Sequence, residues 1–202
     1  MAYSDASPLH TANYLWRPVL KTLENSLTQG ATIVDIGCGN GSFARRLLDR
    51  GWKAIGVDVS PSAVANARAL CPAGTFFHGT VDTVTQQVAD QTPDAGVCLE
   101  VIEHIYDPDR FIESIRNVLP VGGLLVLSTP YHGYLKNLAI ALQGGFDRHV
   151  GALWCGGHIK FWSPSTLSAL LERNGFRVLA WEGAGRFPGL WKSFIQTALR
   201  AE

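Results

Sequence analysis

Apolar residues along this chain follow two alternating rhythms. Short, nearly unbroken apolar runs occur at Ile33–Ile36, Lys53–Asp58, Gly74–His78, Asp94–Glu100 and Gly122–Thr129. Runs of that length and density suit strands covered on both faces. Between them apolar positions recur every three or four residues, the spacing of a helix with one covered face. Thr11–Leu27 shows it through Tyr14, Leu15, Val19, Leu20, Leu23 and Leu27, and Ser42–Arg50 through Phe43, Leu47 and Leu48, with Gly51 as its stop. Three further helices open on a capping residue followed by proline: Ser60-Pro61, Asp107-Pro108 and Ser163-Pro164. A short polar side chain accepts a free N–H of the first turn there, and proline has no N–H to leave unpaired. The second of these turns Phe111, Ile112, Ile115, Val118 and Leu119 inward; the third turns Leu167, Leu170 and Leu171 inward and ends at Gly175. Phe176–Trp181 and Ser193–Leu199 read as two closing strands.

Single strands separated by helices predict a parallel sheet wound on both faces. The last two strands have only a loop between them, so they must pair as an antiparallel hairpin. The expected architecture is therefore α/β: a doubly wound, mostly parallel, seven-stranded Rossmann-like sheet with an antiparallel C-terminal hairpin strand. With 202 residues, 47% hydrophobic and 17% charged, the chain fits one globular domain over 1–202, with no repeat. The segment 131–159 breaks the rhythm. It is long for a strand-to-helix connection, and it carries Tyr131, Tyr134, Phe146, Trp154 and three histidines. Leu135, Leu138, Ala139 and Leu142 predict a short helix inside it. It leaves the carboxyl end of the fifth strand, where ligands bind in open α/β sheets. It reads as a substrate-covering insertion, with Tyr131, His132, Trp154 and the following Trp162 as substrate-facing residues; the plainer alternative is a packed surface excursion.

Charge narrows the classes. Seventeen acidic against seventeen basic residues leave no net charge, which argues against a general nucleic-acid binder. The basic cluster Arg45, Arg46, Arg50 and Lys53 reads as a solvated face. The four cysteines, Cys38, Cys71, Cys98 and Cys155, form no C-x-x-C pair, and no signal peptide is apparent. A reduced, cytoplasmic setting is the expectation. The best apolar run, Val118–Leu127, is interrupted by Pro120, Gly122 and Gly123, so no transmembrane segment is expected. Residues 1–10 are small and polar and read as a frayed lead.

The chemistry concentrates where the first strand meets its helix. Asp35-Ile36-Gly37-Cys38-Gly39-Asn40-Gly41 places glycines at the first, third and fifth positions, with Ser42 at the sixth. The dinucleotide fingerprint needs the sixth. An acid two residues before the first glycine also suits a cationic ligand better than a pyrophosphate. Asp58, at the carboxyl end of the second strand, can accept both hydroxyls of a ribose. This D-x-G-x-G-x-G run resembles motif I of the class I S-adenosylmethionine (SAM)-dependent methyltransferases. The resemblance implies SAM as cofactor, held by Asp35 at the methionine end and by Gly37, Cys38, Gly39, Asn40 and Gly41 in the loop. It further implies Asp58 and Val59 at the ribose, Thr80 (or Asp82) at the adenine, and Glu100 on the cofactor side. The helix 11–27 would then serve as a lid over the cofactor; the plainer alternative is that it only covers the core.

Glu100-Val101-Ile102-Glu103-His104 resembles the motif after strand four in the ubiquinone-biosynthesis type O-methyltransferases and many small-molecule methyltransferases. Gly157-His158-Ile159-Lys160-Phe161 resembles their H-x-K-F segment, and the likeness runs from about Ala31 to Arg200. It implies O-methylation of a small, lipid-like or sugar-derived acceptor. A phenol has a pKa near ~10, so its oxygen needs a base or a metal at neutral pH. His104 and His158 are the candidate bases. Glu100, Glu103 and His104 stand at i, i+3 and i+4, one face of a helical turn, and with His158 they form a candidate divalent-metal set. An E-x-x-E-H run with a later histidine also resembles the small-RNA 3′-terminal 2′-O-methyltransferases, which is the enzymatic alternative; a non-catalytic SAM-binding module is the other. Zero net charge and the aromatic, alkyl-rich insertion favour a small-molecule acceptor over nucleic acid.

Overall fold

The computed structural model describes residues 11–147, 153 and 156–202. The frayed lead expected at residues 1–10, Trp154 and Cys155 lie outside the described residues. The elements in chain order are α1 (Ala12–Ser26), β1 (Thr32–Ile36), α2 (Ser42–Leu48), β2 (Lys53–Asp58), α3 (Pro61–Leu70), β3 (Thr75–His78), α4 (Thr85–Ala89), β4 (Ala95–Leu99), a 3₁₀ turn (Ile102–His104), α5 (Pro108–Val118), β5 (Leu124–Pro130), α6 (Tyr134–Leu142), α7 (Pro164–Arg173), β6 (Phe176–Ala184) and β7 (Ser193–Arg200). Seven strands form one sheet in the order β3-β2-β1-β4-β5-β7-β6. The first five are parallel, and β7 runs antiparallel between β5 and β6.

Alternation along the strands sends consecutive residues to opposite faces, and two cores result. Ile33 joins Leu15, Val19 and Leu23 of α1, Phe43 and Leu47 of α2, and Val64 of α3. Val34 and Ile36 join Val88 of α4, Ile112 and Ile115 of α5, and Leu167, Leu170 and Leu171 of α7. The central strands are buried throughout, as their unbroken apolar runs require. Truncating a fully buried leucine such as Leu23 to alanine would cost about 2–5 kcal/mol.

The three cap-proline starts are real. Ser60 Oγ accepts the Ala63 N–H, Asp107 Oδ1 the Arg110 N–H, and Ser163 Oγ the Thr166 N–H within a full capping box. Some boundaries differ from expectation: β6 runs on past Trp181 to Ala184. β5 starts at Leu124 rather than Gly122, because Gly122 takes φ +77° and gives its N–H to Arg200 O, turning the chain instead. The helix α4 was not apparent in the sequence. Its five residues bury only Val88, too few positions to show a period. Among the described residues no helix is long and apolar enough to cross a membrane.

The largest departure is α6. The expected helix is present, yet Leu135, Leu138 and Leu142 are exposed and Lys136 is the buried residue, at 6% accessibility. Its apolar face is turned outward.

Candidate active site

The strand order reverses between β1 and β4, and a crevice opens at the carboxyl ends of the strands on either side of such a switch. A cavity of about 950 Å³ lies there. Gly37, Asp58, Val59 and Thr80 line it after β1, β2 and β3; Glu100, Glu103, His104 and His158 line its middle; His132, Lys136, Arg186, Lys192 and Ser193 line it beyond β5 and β7.

At the first end, the glycine loop is shaped by packing as much as by ligand access. Gly37 has φ +78°, and a Cβ on it would stand 2.4 Å from Val101 Cγ2. Gly41 has φ +81°, with the Ala67 Cα and Cβ 2.9 Å from the same position. Asp58 ties the loop to its own strand end: Gly39 N–H donates to Oδ2 at 2.9 Å and Ser60 N–H to Oδ1 at 2.8 Å. Each oxygen keeps a second lone pair for a ligand hydroxyl. Asn40 is buried and its Oδ1 accepts from both the N–H and the hydroxyl of Ser42. Cys38 is likewise buried behind the loop.

Asp35 lies beneath this loop with 3% of its surface accessible, and its Oδ2 has no hydrogen-bond partner among the described residues. Burial, with a contribution from the Asp58 charge, pushes its pKa up to about 7. A buried carboxylate in that state is relieved by a nearby cation. After β3, the Thr80 hydroxyl donates to Asp82, whose other oxygen pairs with Arg110 at 3.0 Å. The Thr80 bond, assisted by the Arg110 charge, holds the Asp82 carboxyl below its ordinary range.

The middle of the cavity is built on the 3₁₀ turn after β4. Glu103 is 1% accessible. Its backbone O accepts the N–H groups of Ile159 at 2.9 Å and Lys160 at 3.0 Å, and the Gly157 carbonyl meets His104 Nδ1 at 3.1 Å. These three bonds pin the segment 157–160 onto the turn and bring His158 beside His104, rings 4.9 Å apart and edge to face. Glu103 Oε2 accepts from Thr129 Oγ1 at 3.1 Å. Its Oε1 has no hydrogen-bond partner among the described residues and lies 4.0 Å from the Nε2 of both His104 and His158. One ligand atom from each of Glu103, His104 and His158 falls within 4.8 Å of the others.

Glu100 stands outside that group. Its backbone adopts φ +57°, so it does not continue into the turn. Its Oε1 accepts from Ser128 Oγ at 2.9 Å and its Oε2 from Ser193 Oγ at 3.1 Å, and Ser193 Oγ lies 3.2 Å from the Tyr14 hydroxyl of α1. Burial pushes both Glu100 and Glu103 up, and the charge of Glu100 pushes Glu103 further.

The sequence-selected aromatic residues separate. His132 lines the cavity and packs edge to face on Phe161. Tyr131 instead stacks on Trp191 and Phe194, and Trp162 donates its indole N–H to Ile102 O while packing on the core; neither side chain is among those lining the cavity. Lys136, Arg186 and Lys192 line the cavity without a signal in the sequence. Lys136 sits inside an apolar helix, where periodicity assigns the leucines, not the lysine, to the covered face.

The chain and its fold have known counterparts. Residues 9–180 match the model of a methyltransferase domain, and the chain belongs to that family. It is 30% identical over 214 residues to the human mitochondrial ubiquinone biosynthesis O-methyltransferase, an alignment covering 96% of this chain and 57% of that protein. It is 28% identical over 179 residues to the ubiquinone biosynthesis O-methyltransferase of Coxiella burnetii, covering 85% of this chain and 74% of the relative. The chain thus spans little more than half the length of the human relative. Among solved structures, the magnesium protoporphyrin IX methyltransferase of Synechocystis, with bound SAH, superposes with a TM-score of 0.70 at 20% identity, covering 92% of this chain and 82% of that one. The fold is the Rossmann-like methyltransferase fold.

Proposed function

We propose that the chain binds SAM along the ends of β1, β2 and β3 and methylates a hydroxyl of a small acceptor held over Glu103, His104 and His158 with a divalent ion. The names of the relatives support oxygen as the methylated atom. The observation that carries the metal is Glu103 Oε1, buried, without a hydrogen-bond partner among the described residues and 4.0 Å from each of two imidazole nitrogens. An acceptor oxygen left in that state costs ~1–3 kcal/mol, and two imidazoles with a carboxylate suit Mg²⁺, Mn²⁺ or Zn²⁺.

SAM supplies an already activated methyl group, so the protein's task is alignment, worth up to ~7–11 kcal/mol. A bound ion would acidify the acceptor hydroxyl. The chain itself would contribute four things. Asp35 answers the ammonium of the methionine end, and Asp58 accepts from the ribose. Glu103, His104 and His158 would hold the ion and through it orient the acceptor hydroxyl, whose proton would leave to water; with no ion bound, one of the two imidazoles would take it instead. The α1 helix and the insertion exclude water.

Isothermal titration with SAM and with NAD tests the cofactor; SAM binding alone is expected, and NAD binding alone overturns the reading. Methyl transfer to a panel of catechols, sugars and RNA 3′ ends, with and without chelator, tests the rest. Transfer to a small hydroxyl acceptor, abolished by chelator and restored by one ion, is expected. Full activity in chelator removes the ion and leaves a histidine base.

A further inference from the structure

Lys136 poses a problem that the reading above does not use. It is a buried ammonium whose hydrogen-bond partners among the described residues are two neutral carbonyls, Tyr131 O at 2.7 Å and Lys192 O at 3.3 Å. An ammonium has three donors and carries a full charge. Two more cations, Arg186 and Lys192, line the same end of the cavity. Arg186 holds a left-handed backbone, φ +61°, unusual for a side chain of its size. Lys192 places its Nζ 5.1 Å from the centre of the Tyr14 ring. None of the three makes an ion pair within 4.0 Å among the described residues. Arg110, at the other end of the cavity, has its own counter-ion in Asp82.

The ammonium of Lys136 is depressed to about 8, first by burial and then by the Arg186 charge, with Glu100 acting weakly in its favour. Two cations that repel one another at a cavity wall form a seat for an anion. The sheet order says on which side that anion lies. Gly37, Asp58 and Thr80 follow β1, β2 and β3, the Glu103–His104 turn follows β4, and Lys136, Arg186 and Lys192 follow β5 or flank the β6–β7 connection. The cations lie across the Glu103–His104 turn from the ribose and adenine positions.

We propose that Lys136, Arg186 and Lys192 receive an anionic group of the methyl acceptor, a carboxylate or a phosphate monoester, while its hydroxyl lies over Glu103, His104 and His158. This rests on the methyltransferase reading and adds the acceptor's charge to it. Lys136 and Arg186 thereby select among acceptors. A merely structural lysine, tying α6 to the hairpin, would affect charged and neutral acceptors alike.

The test compares catechol, 3,4-dihydroxybenzoate and 3,4-dihydroxybenzyl phosphate by titration calorimetry on the full chain, after binding of SAH has been measured. In the wild type at least one acidic probe should bind roughly tenfold or more tighter than catechol, the scale of a hydrogen bond to a charged group. Lys136→Met and Arg186→Gln should each shrink that acid-over-catechol ratio several-fold, and Lys136→Arg should retain most of it. Arg186 is exposed, so its variant keeps the test alive if Lys136→Met fails to fold. Acids that bind no tighter than catechol, or a ratio that survives both substitutions, overturn the proposal. A parallel titration compares SAH with 5′-methylthioadenosine, which lacks the amino-acid carboxylate. Should the variants erase the preference for SAH instead, the cations serve the cofactor and the acceptor assignment falls. Absence of any SAH binding by the wild type would sink the methyltransferase reading itself, a different result from SAH binding without acid preference.

Discussion

Glu103→Gln separates stability from function at one atom. The amide is nearly isosteric, and its oxygen can keep the 3.1 Å bond from Thr129 Oγ1. Its NH₂ then occupies the place of Oε1, 4.0 Å from His104 Nε2 and from His158 Nε2. Without metal, the substitution removes a carboxylate oxygen that is buried, has no hydrogen-bond partner among the described residues and ionises at high pH. The neutral NH₂ left unpaired in its place costs less, and the net gain is ~1–3 kcal/mol. For a chain of this size each kcal/mol moves Tm by roughly 2–4 °C, so the metal-free variant should melt about 2–12 °C above wild type. The sign depends on pH. Burial and the Glu100 charge raise the folded-state pKa of Glu103 above its unfolded value. The stability tied to its protonated form is therefore complete below the unfolded pKa and is lost as pH rises through the folded one. The gap between variant and wild type should be small near pH 4 and large at pH 8. Divalent ion reverses the ranking: at a hundredfold excess over Kd it adds about 2.7 kcal/mol to whichever chain binds it, and only wild type should respond. Calorimetry in chelator at both pH values, then with Mg²⁺, Mn²⁺ or Zn²⁺, reads all of this. A variant less stable than wild type at pH 8 in chelator, or one stabilised equally by the ion, refutes the reasoning.

Asp58→Ala should weaken SAM binding by roughly 1–3 kcal/mol and lower Tm, since the Gly39 and Ser60 N–H groups lose their acceptor; unaltered SAM affinity in a folded variant takes Asp58 out of the site. Gly37→Ala puts a methyl 2.4 Å from Val101 Cγ2 in left-handed backbone and should cost ~2–5 kcal/mol; adding Val101→Ala should recover the steric part, and strict additivity in denaturant melts would deny the contact. Asp35→Asn removes a carboxyl whose folded pKa is raised to about 7. It should therefore stabilise the SAM-free chain at pH 8 and not at pH 4, while weakening SAM; equal melting shifts at both pH values would contradict this. Tyr134–Leu142 should exchange amide hydrogens faster than β1, β4 and β5 and slow when SAH and an acceptor are added; protection equal to the core strands in both states favours a plain packing role.

The order of strands and helices was legible because the central strands are buried on both faces, which leaves short, nearly unbroken apolar runs alternating with helical periods. Helix starts were legible at Ser60, Asp107 and Ser163 because a cap followed by proline is a local signal. The loop was legible at Gly37 and Gly41 for a similar reason, since positive φ and close contact both demand glycine there. Spacing misled where one backbone angle decided the outcome. Glu100, Glu103 and His104 have helical intervals, but φ +57° at Glu100 turns that carboxylate toward Ser128 and Ser193. A pattern of apolar residues also says only that a face is shared. It does not say which face is inward, and α6 buries its lysine instead of its leucines. Arg186 and Lys192 join Lys136 through tertiary packing over 50 residues of sequence, which no local rule reports.

The position of β7 bears on how such a chain is made. During synthesis β6 emerges first, yet it has no neighbour in the sheet except β7. Until Ser193–Arg200 leaves the ribosome, β5 presents an open edge and β6 waits unattached. The arrival of one segment then closes two seams together, Leu124–Pro130 on one side and Phe176–Ala184 on the other. Open edges of this kind are where nascent chains aggregate. A chain ending before Ser193 would lose two strands, not one, along with the Ser193 hydroxyl that links Glu100 to Tyr14.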